Sequence, residues 1–161
     1  MARSTASPSI LDHPDLTAMG LLFEANAGIR AAVSPSLEEQ HGLAGQRFEV
    51  LLRLVRSPSH RLRMTDLAKQ TTLTASGLTR VVDRLVDEGL IERTQCSSDR
   101  RGYFAELTPA GEARVLAALP DHLAQLREIL HAAFSPDEIP VFYALMRRLR
   151  DAVHPGATSG S

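Results

Sequence analysis

Apolar positions recur at helical spacing along most of the chain and switch to alternation in one short stretch. From residue 15 onward, Leu16, Met19, Phe23, Ile29 and Val33 share a helical stripe. Pro35 removes a backbone donor, which predicts a kink or an end there, with helix resuming at Leu37 until Gly42. A second helix is predicted over 46–56, with Phe48, Leu51, Leu52 and Val55 inward and Ser57-Pro58-Ser59 as its breaker. Thr65 offers an N-cap for DLAKQT. Leu73 and Thr74 form a turn, and Thr74 caps a longer helix over 75–88 that Gly89 closes. LIERTQC and YFAEL then alternate on either side of SSDRRG, which reads as a hairpin. Thr108-Pro109 opens a helix lined by Val115, Leu116, Leu119, Leu123, Leu126 and Leu130, with a kink expected near 118 from Pro120. Ser135-Pro136-Asp137-Glu138 matches a capping box for a last helix lined by Phe142, Leu145, Met146 and Leu149.

The predicted order is therefore four helices, a hairpin and two helices, with an optional strand near 62. Polar segments at 1–12 and 154–161 are predicted to be disordered tails, leaving 13–153 as one domain. A chain of 161 residues can bury a core without disulfide or metal support. With 43% hydrophobic and 23% charged residues, its composition is that of a globular protein. No run approaches a membrane span, MARSTASPSI lacks a signal peptide's apolar core, and the lone Cys96 cannot form an internal disulfide. A cytoplasmic protein that contacts no membrane is expected.

Net charge is −1, which looks wrong for a nucleic-acid binder until its placement is considered. Residues 60–101 carry eight Lys+Arg against six Asp+Glu, so the local balance is positive. All basic residues but Lys69 are Arg, the side chain suited to bidentate contacts with phosphate and guanine.

Residues 65–107 combine a short helix, a tight turn, a second helix and a hairpin, the layout of a winged helix-turn-helix. The second helix divides cleanly. Leu78, Val82, Leu85 and Gly89 form one stripe, widened by Val81 and Val86, while Ser76, Thr79, Arg80, Asp83, Arg84 and Asp87 lie opposite. Small residues Ala75, Ser76 and Gly77 allow close approach, and the helix N-terminus offers donors to a phosphate. Asp83 and Asp87 speak for a merely solvated face. At the hairpin tip, Arg100 and Arg101 can enter a minor groove or grip phosphates, with Asp99 orienting one guanidinium or holding the turn.

DLA, then SGLTRVVDRL, then GLIER, SDRR and LTPAG follow in order within residues 66–111. This stretch resembles the signature of the multiple-antibiotic-resistance regulator (MarR) family, and the flanking helices extend the resemblance over roughly 15–153. The resemblance implies a mainly α fold with a small β-hairpin wing. A winged helix-turn-helix domain at about 46–108 would be flanked by dimerisation helices at about 15–41 and 109–153. It implies a homodimeric regulator, by the family's common mode a repressor, on a pseudo-palindromic operator in double-stranded DNA. Groove contacts carry over to Thr74, Ala75, Ser76, Gly77, Thr79, Arg80 and Arg84, and wing contacts to Asp99, Arg100 and Arg101. Thr65 is read as a cap or a phosphate contact, and Arg93 as structural.

The resemblance also implies release by a small anionic aromatic effector bound between the dimer helices and the winged domain, with Phe23, Arg47 and Phe48 as candidate liners. Cys96, beside the wing, is a candidate oxidant sensor or an inert thiol. His122 and His131 are nine apart, not the three or four of a shared helical face, so no metal site is expected and both read as surface residues. No cofactor is expected. The sequence contains no H-E-x-x-H, P-loop or G-x-S-x-G, so an enzyme is not expected. A winged helix serving protein contacts remains the other class. It should lack the outward arginines that this chain retains.

Overall fold

The computed structural model describes residues 10–43, 45–96 and 99–154, with the side chains of Leu11 and of residues 99–101 outside that description. Within it lie α1 (Pro14–His41), α2 (Gly45–Val55), β1 (Arg61–Arg63), α3 (Met64–Gln70), α4 (Ala75–Asp87), β2 (Ile91–Cys96), β3 (Asp99–Leu107), α5 (Pro109–Ala133) and α6 (Glu138–Val153). The strands form one antiparallel sheet in the order β1-β3-β2. The fold is mainly helical with a small β wing, as the sequence pattern predicts. The predicted tails lie largely outside the described residues.

The core sits where α2, α3, α4, the sheet and the first half of α5 converge. Leu51, Leu54, Leu67, Leu78, Val82, Leu85, Ile91, Ala105 and Val115 are all buried there. On α2 the inward set is Phe48, Val50, Leu51 and Leu54, while Leu52 and Val55 pack at its margin. The predicted stripe was thus rotated slightly from the observed one.

Neither Pro35 nor Pro120 ends its helix. α1 runs through Pro35 and α5 through Pro120 without a break. Each proline removes one helical hydrogen bond and crowds the preceding turn, a cost of about 3 kcal/mol. Buried neighbours offset it: Val33 and Leu37 flank Pro35, and Val115 and Ala118 precede Pro120. Tertiary packing outweighs local propensity at both places.

Two boundaries also move. Arg63, the last residue of β1, takes the N-cap position of α3, so Thr65 lies inside the helix and caps nothing. The sheet fixes this, because the register Arg63↔Phe104 carries the chain in extended form up to Met64. On the hairpin, β3 begins at Asp99 and not at Tyr103. The register shifts between Gln95↔Tyr103 and Cys96↔Asp99, so residues 99–102 of the predicted turn lie within a distorted strand, while 97 and 98 lie outside the described residues.

The joint between α4 and β2 is built as predicted. Gly89 has φ +71°, the left-handed region open to glycine. Thr108 locks α5 onto this joint. Its N–H donates to the Leu90 carbonyl at 3.1 Å, its Oγ1 donates to the Gly89 carbonyl at 2.8 Å, and the same oxygen accepts from Gly111 N–H at 3.0 Å. Gly111 lies so close that a Cβ there would run into the Leu90 carbonyl and stand 2.9 Å from Leu107 Cδ1. The glutamate half of the capping box forms: Glu138 Oε2 accepts from Ser135 N–H and Oγ, both at 2.8 Å, which holds its carboxyl below the usual range. Glu138 N–H donates to the Ser135 carbonyl, and Asp137 takes the N-cap position.

Candidate nucleic-acid interface

The helix-turn-helix presents α4 as its outer element. Leu78, Val82 and Leu85 anchor its inner face, which leaves Ser76, Thr79, Arg80, Asp83, Arg84 and Asp87 exposed together. Thr74 caps the helix, its Oγ1 accepting from Gly77 N–H at 3.1 Å. A Cβ on Gly77 would stand 3.1 Å from that oxygen, so the glycine keeps the cap uncrowded. The Ser76 hydroxyl lies 3.3 Å from Thr74 Oγ1, and Thr79 Oγ1 donates to the Ala75 carbonyl at 3.0 Å. Ala75 is exposed in the first turn of the helix.

The charges on this face are differently committed. Arg80 is exposed and has no hydrogen bond or ion pair among the described residues. Asp83, which sequence alone sets against phosphate binding, is paired with Arg93 of β2 at 2.7 Å. That pair ties the wing strand to α4 and confirms a structural place for Arg93. Arg84 shares Glu88: its Nε reaches Oε1 at 3.3 Å, while Arg47 reaches the same oxygen at 2.9 Å. Arg47 also chelates both oxygens of Glu38 on α1 at 3.0 and 2.9 Å. Arg47 thus bridges α1 and α4.

On the wing, the side chains of Asp99, Arg100 and Arg101 lie outside the described residues, as do residues 97 and 98 entirely. The backbone of 99–101 belongs to β3. Cys96 is buried, with 2% of its surface exposed.

The MarR family model matches residues 44–103, spanning the whole helix-turn-helix, β2 and the first part of β3. The HTH-type transcriptional repressor YetL of Bacillus subtilis is 30% identical over 105 residues, covering 65% of this chain and 62% of YetL. An uncharacterised HTH-type transcriptional regulator of Bacillus cereus is 32% identical over 107 residues, covering 66% of this chain and 69% of that protein. A MarR family transcriptional regulator from Streptomyces coelicolor, solved in complex with DNA, superposes with a TM-score of 0.79 at 29% identity, over 93% of this chain and 94% of that one. The chain belongs to the MarR family. Its relatives are transcriptional regulators, not enzymes.

This MarR chain also contains a cavity of about 270 Å³ between α1, α2 and α5. Its apolar wall includes Val33, Leu37 and Phe48, and its polar wall Arg30, Glu49 and Arg53. Phe48 lies on the cavity with its ring edge-on to His122 at 4.7 Å between centroids. Arg47 lines a neighbouring groove with Arg80 and Arg84, and Phe23 stands apart on α1, 69% exposed. Of the three candidate liners, only Phe48 touches this cavity.

His122 is not the surface residue expected. Its Nδ1 is buried without a partner among the described residues, and burial pushes its pKa below the ordinary 6.5. Burial, together with Arg56 and Arg150, also lowers the pKa of Arg53 against the pull of Glu49. No single-sequence signal marks His122, Arg30 or Glu49, because the cavity assembles from helices distant in sequence. The Arg84–Glu88 pair was the exception, readable from its i,i+4 spacing. Among the described residues no helix is long and apolar enough to cross a membrane, and no group of His, Cys, Asp and Glu could hold a metal ion.

Proposed function

We propose that this chain is a homodimeric transcriptional repressor that inserts α4 into the major groove of a pseudo-palindromic operator. The observation that carries the reading is the exposed face of α4, where Arg80 has no partner within the described residues. An uncommitted arginine beside hydroxyl residues is suited to base edges or phosphate. Arg84 adds a second cation, and the pairing of Asp83 with Arg93 reduces the repulsion that an acidic residue would exert there. Thr74, Ala75, Ser76, Gly77 and Thr79 would line the groove near the helix start. Asp99, Arg100 and Arg101 would serve the wing. The repressor role is supported by the likeness to YetL, and DNA as partner by the likeness to the Streptomyces coelicolor regulator.

Dimerisation through about 15–41 and 109–153 is supported by apolar surface that one chain leaves uncovered. Leu16, Met19, Leu21 and Phe23 on α1 and Val141, Tyr143 and Leu145 on α6 are exposed, and α6 buries no residue. Burial of such a face against a second copy would remove it from water. Release by a small anionic aromatic effector is supported by the cavity, which combines the Phe48 ring with Arg30 and Arg53. A cytoplasmic location follows from this role.

Sedimentation of the free protein and of its complex with a selected operator tests the reading. Two chains of 17.5 kDa per particle, and two per duplex, are expected. A monomer in both states overturns the dimer. Transcription in vitro from a promoter overlapping that operator should fall on adding protein, and unchanged transcription overturns the repressor role.

A further inference from the structure

We propose that Arg47 is a positioning residue: it is the standing counter-ion of Glu88 and so keeps Arg84 available to DNA. The inference rests on the DNA-binding reading above and deepens it, because Arg84 counts there as a second cation of the reading face.

Glu88 is the C-cap of α4, its N–H donating to the Arg84 carbonyl at 3.0 Å. A carboxylate at this end meets the negative pole of the helix dipole and calls for a cation. The nearest in sequence is Arg84, one turn back, whose Nε lies 3.3 Å from Glu88 Oε1. That order is the less favourable one, since an i,i+4 pair is stronger with the acid on the N-terminal side. The Arg84 side chain is also 69% exposed, so water screens the contact.

α2 supplies a second and firmer cation. Arg47 Nη1 donates to the same Glu88 Oε1 at 2.9 Å, while its Nη2 donates to both oxygens of Glu38. Its side chain is only 16% exposed, and a planar guanidinium held through both terminal nitrogens is fixed in direction. To turn outward, Arg47 would have to leave two carboxylates behind. Arg47, Arg80 and Arg84 line one groove. Within it Arg47 is the committed cation and Arg84 the replaceable one.

When Arg84 swings from Glu88 to a phosphate, Glu88 retains Arg47, and no uncompensated carboxylate faces the DNA. Without Arg47, the phosphate competes with Glu88 for Arg84 and is repelled by Glu88 as well.

The test compares operator affinity and its salt dependence for wild type, Arg47→Gln, Glu88→Gln and the double variant. Arg47→Gln should bind about fivefold more weakly, with a salt slope lower by about 1, because Arg84 stays on Glu88. Glu88→Gln releases Arg84 and should bind at least as tightly as wild type. In that background Arg47→Gln should cost almost nothing, and the slope should return. Unchanged affinity in Arg47→Gln, or an equal loss with and without Glu88, overturns the inference. Weaker binding by Glu88→Gln alone also overturns it, by making the pair a tie between helices, and this comparison carries the test if Arg47→Gln fails to fold. Solvent exchange of the Arg84 Nε–H, read by NMR on the free protein, should slow in Arg47→Gln, and unchanged exchange counts equally against the inference. A wild-type protein without operator preference overturns the proposed function instead, and the exchange comparison still decides whether Arg47 releases Arg84 from Glu88.

Discussion

Arg93 of β2 closes on Asp83 of α4 at 2.7 Å, so the wing and the reading helix are joined by an ion pair beside the surface that would meet DNA. The pair is largely solvent-exposed and contributes at most about 1 kcal/mol to stability. Its larger effect is on charge. Arg93→Ala leaves Asp83 uncompensated, and operator affinity should fall by roughly threefold to tenfold. Adding Asp83→Asn should recover that loss. A titration of the single and double variants against one duplex checks both.

Arg80→Ala removes an arginine that has no partner among the described residues. Binding should weaken by about 1–3 kcal/mol if the side chain reads a base, with relaxed preference at one position of each half-site. A phosphate contact would instead weaken all sequences alike and reduce the salt slope by about 1. Affinities measured across several salt concentrations separate the two contacts, and no change in either quantity contradicts the role assigned to Arg80.

His122 predicts a pH effect of defined sign. Burial lowers its folded pKa below the ordinary 6.5, so the unfolded chain binds a proton more readily. The neutral ring's contribution is fully present above pH 6.5 and is lost as pH falls toward the folded value. Chemical denaturation at pH 7.5 and 5.5 should show lower stability at the acid end. The variant His122→Phe keeps a ring against Phe48 and should reduce that difference.

Gly111→Ala forces a Cβ into the Leu90 carbonyl, in backbone that cannot move without disturbing the Thr108 lock. Overpacking of this kind costs about 1–3 kcal/mol. Urea unfolding should show a lower midpoint with an unchanged slope.

Cys96 is 2% exposed, which shields its sulfur from thiol reagents. Modification by a thiol reagent should be slow in the folded protein and rapid once the chain is unfolded. Fast modification of the folded protein would favour the oxidant-sensing alternative.

The fold was legible because its signals are local. Thr74, Gly89 and Thr108-Pro109 mark the helix ends where the structure has them, and Leu78, Val82 and Leu85 mark the inner face of α4. The end allowed for at Pro35 does not occur, because α1 is held on both sides by burial that no local pattern reports. Thr65 misled because β1 reaches α3 without a gap. The outward arginines were visible as a pattern, but their commitments were not. That Asp83 belongs to Arg93, and that Glu88 is shared with Arg47, depends on helices and strands meeting in space. Glu49 and Arg30 carry no local signal, and His122 reads as a surface residue, for the same reason.

The central claim is that α4 reads a specific DNA sequence as part of a dimer. Selection of bound duplexes from a random pool, at about 0.15 M salt to suppress phosphate-only binding, tests it most directly. The account predicts enrichment of an inverted repeat whose half-sites lie about one helical turn apart. Recovery of no motif, with only weak and strongly salt-sensitive binding, would contradict it.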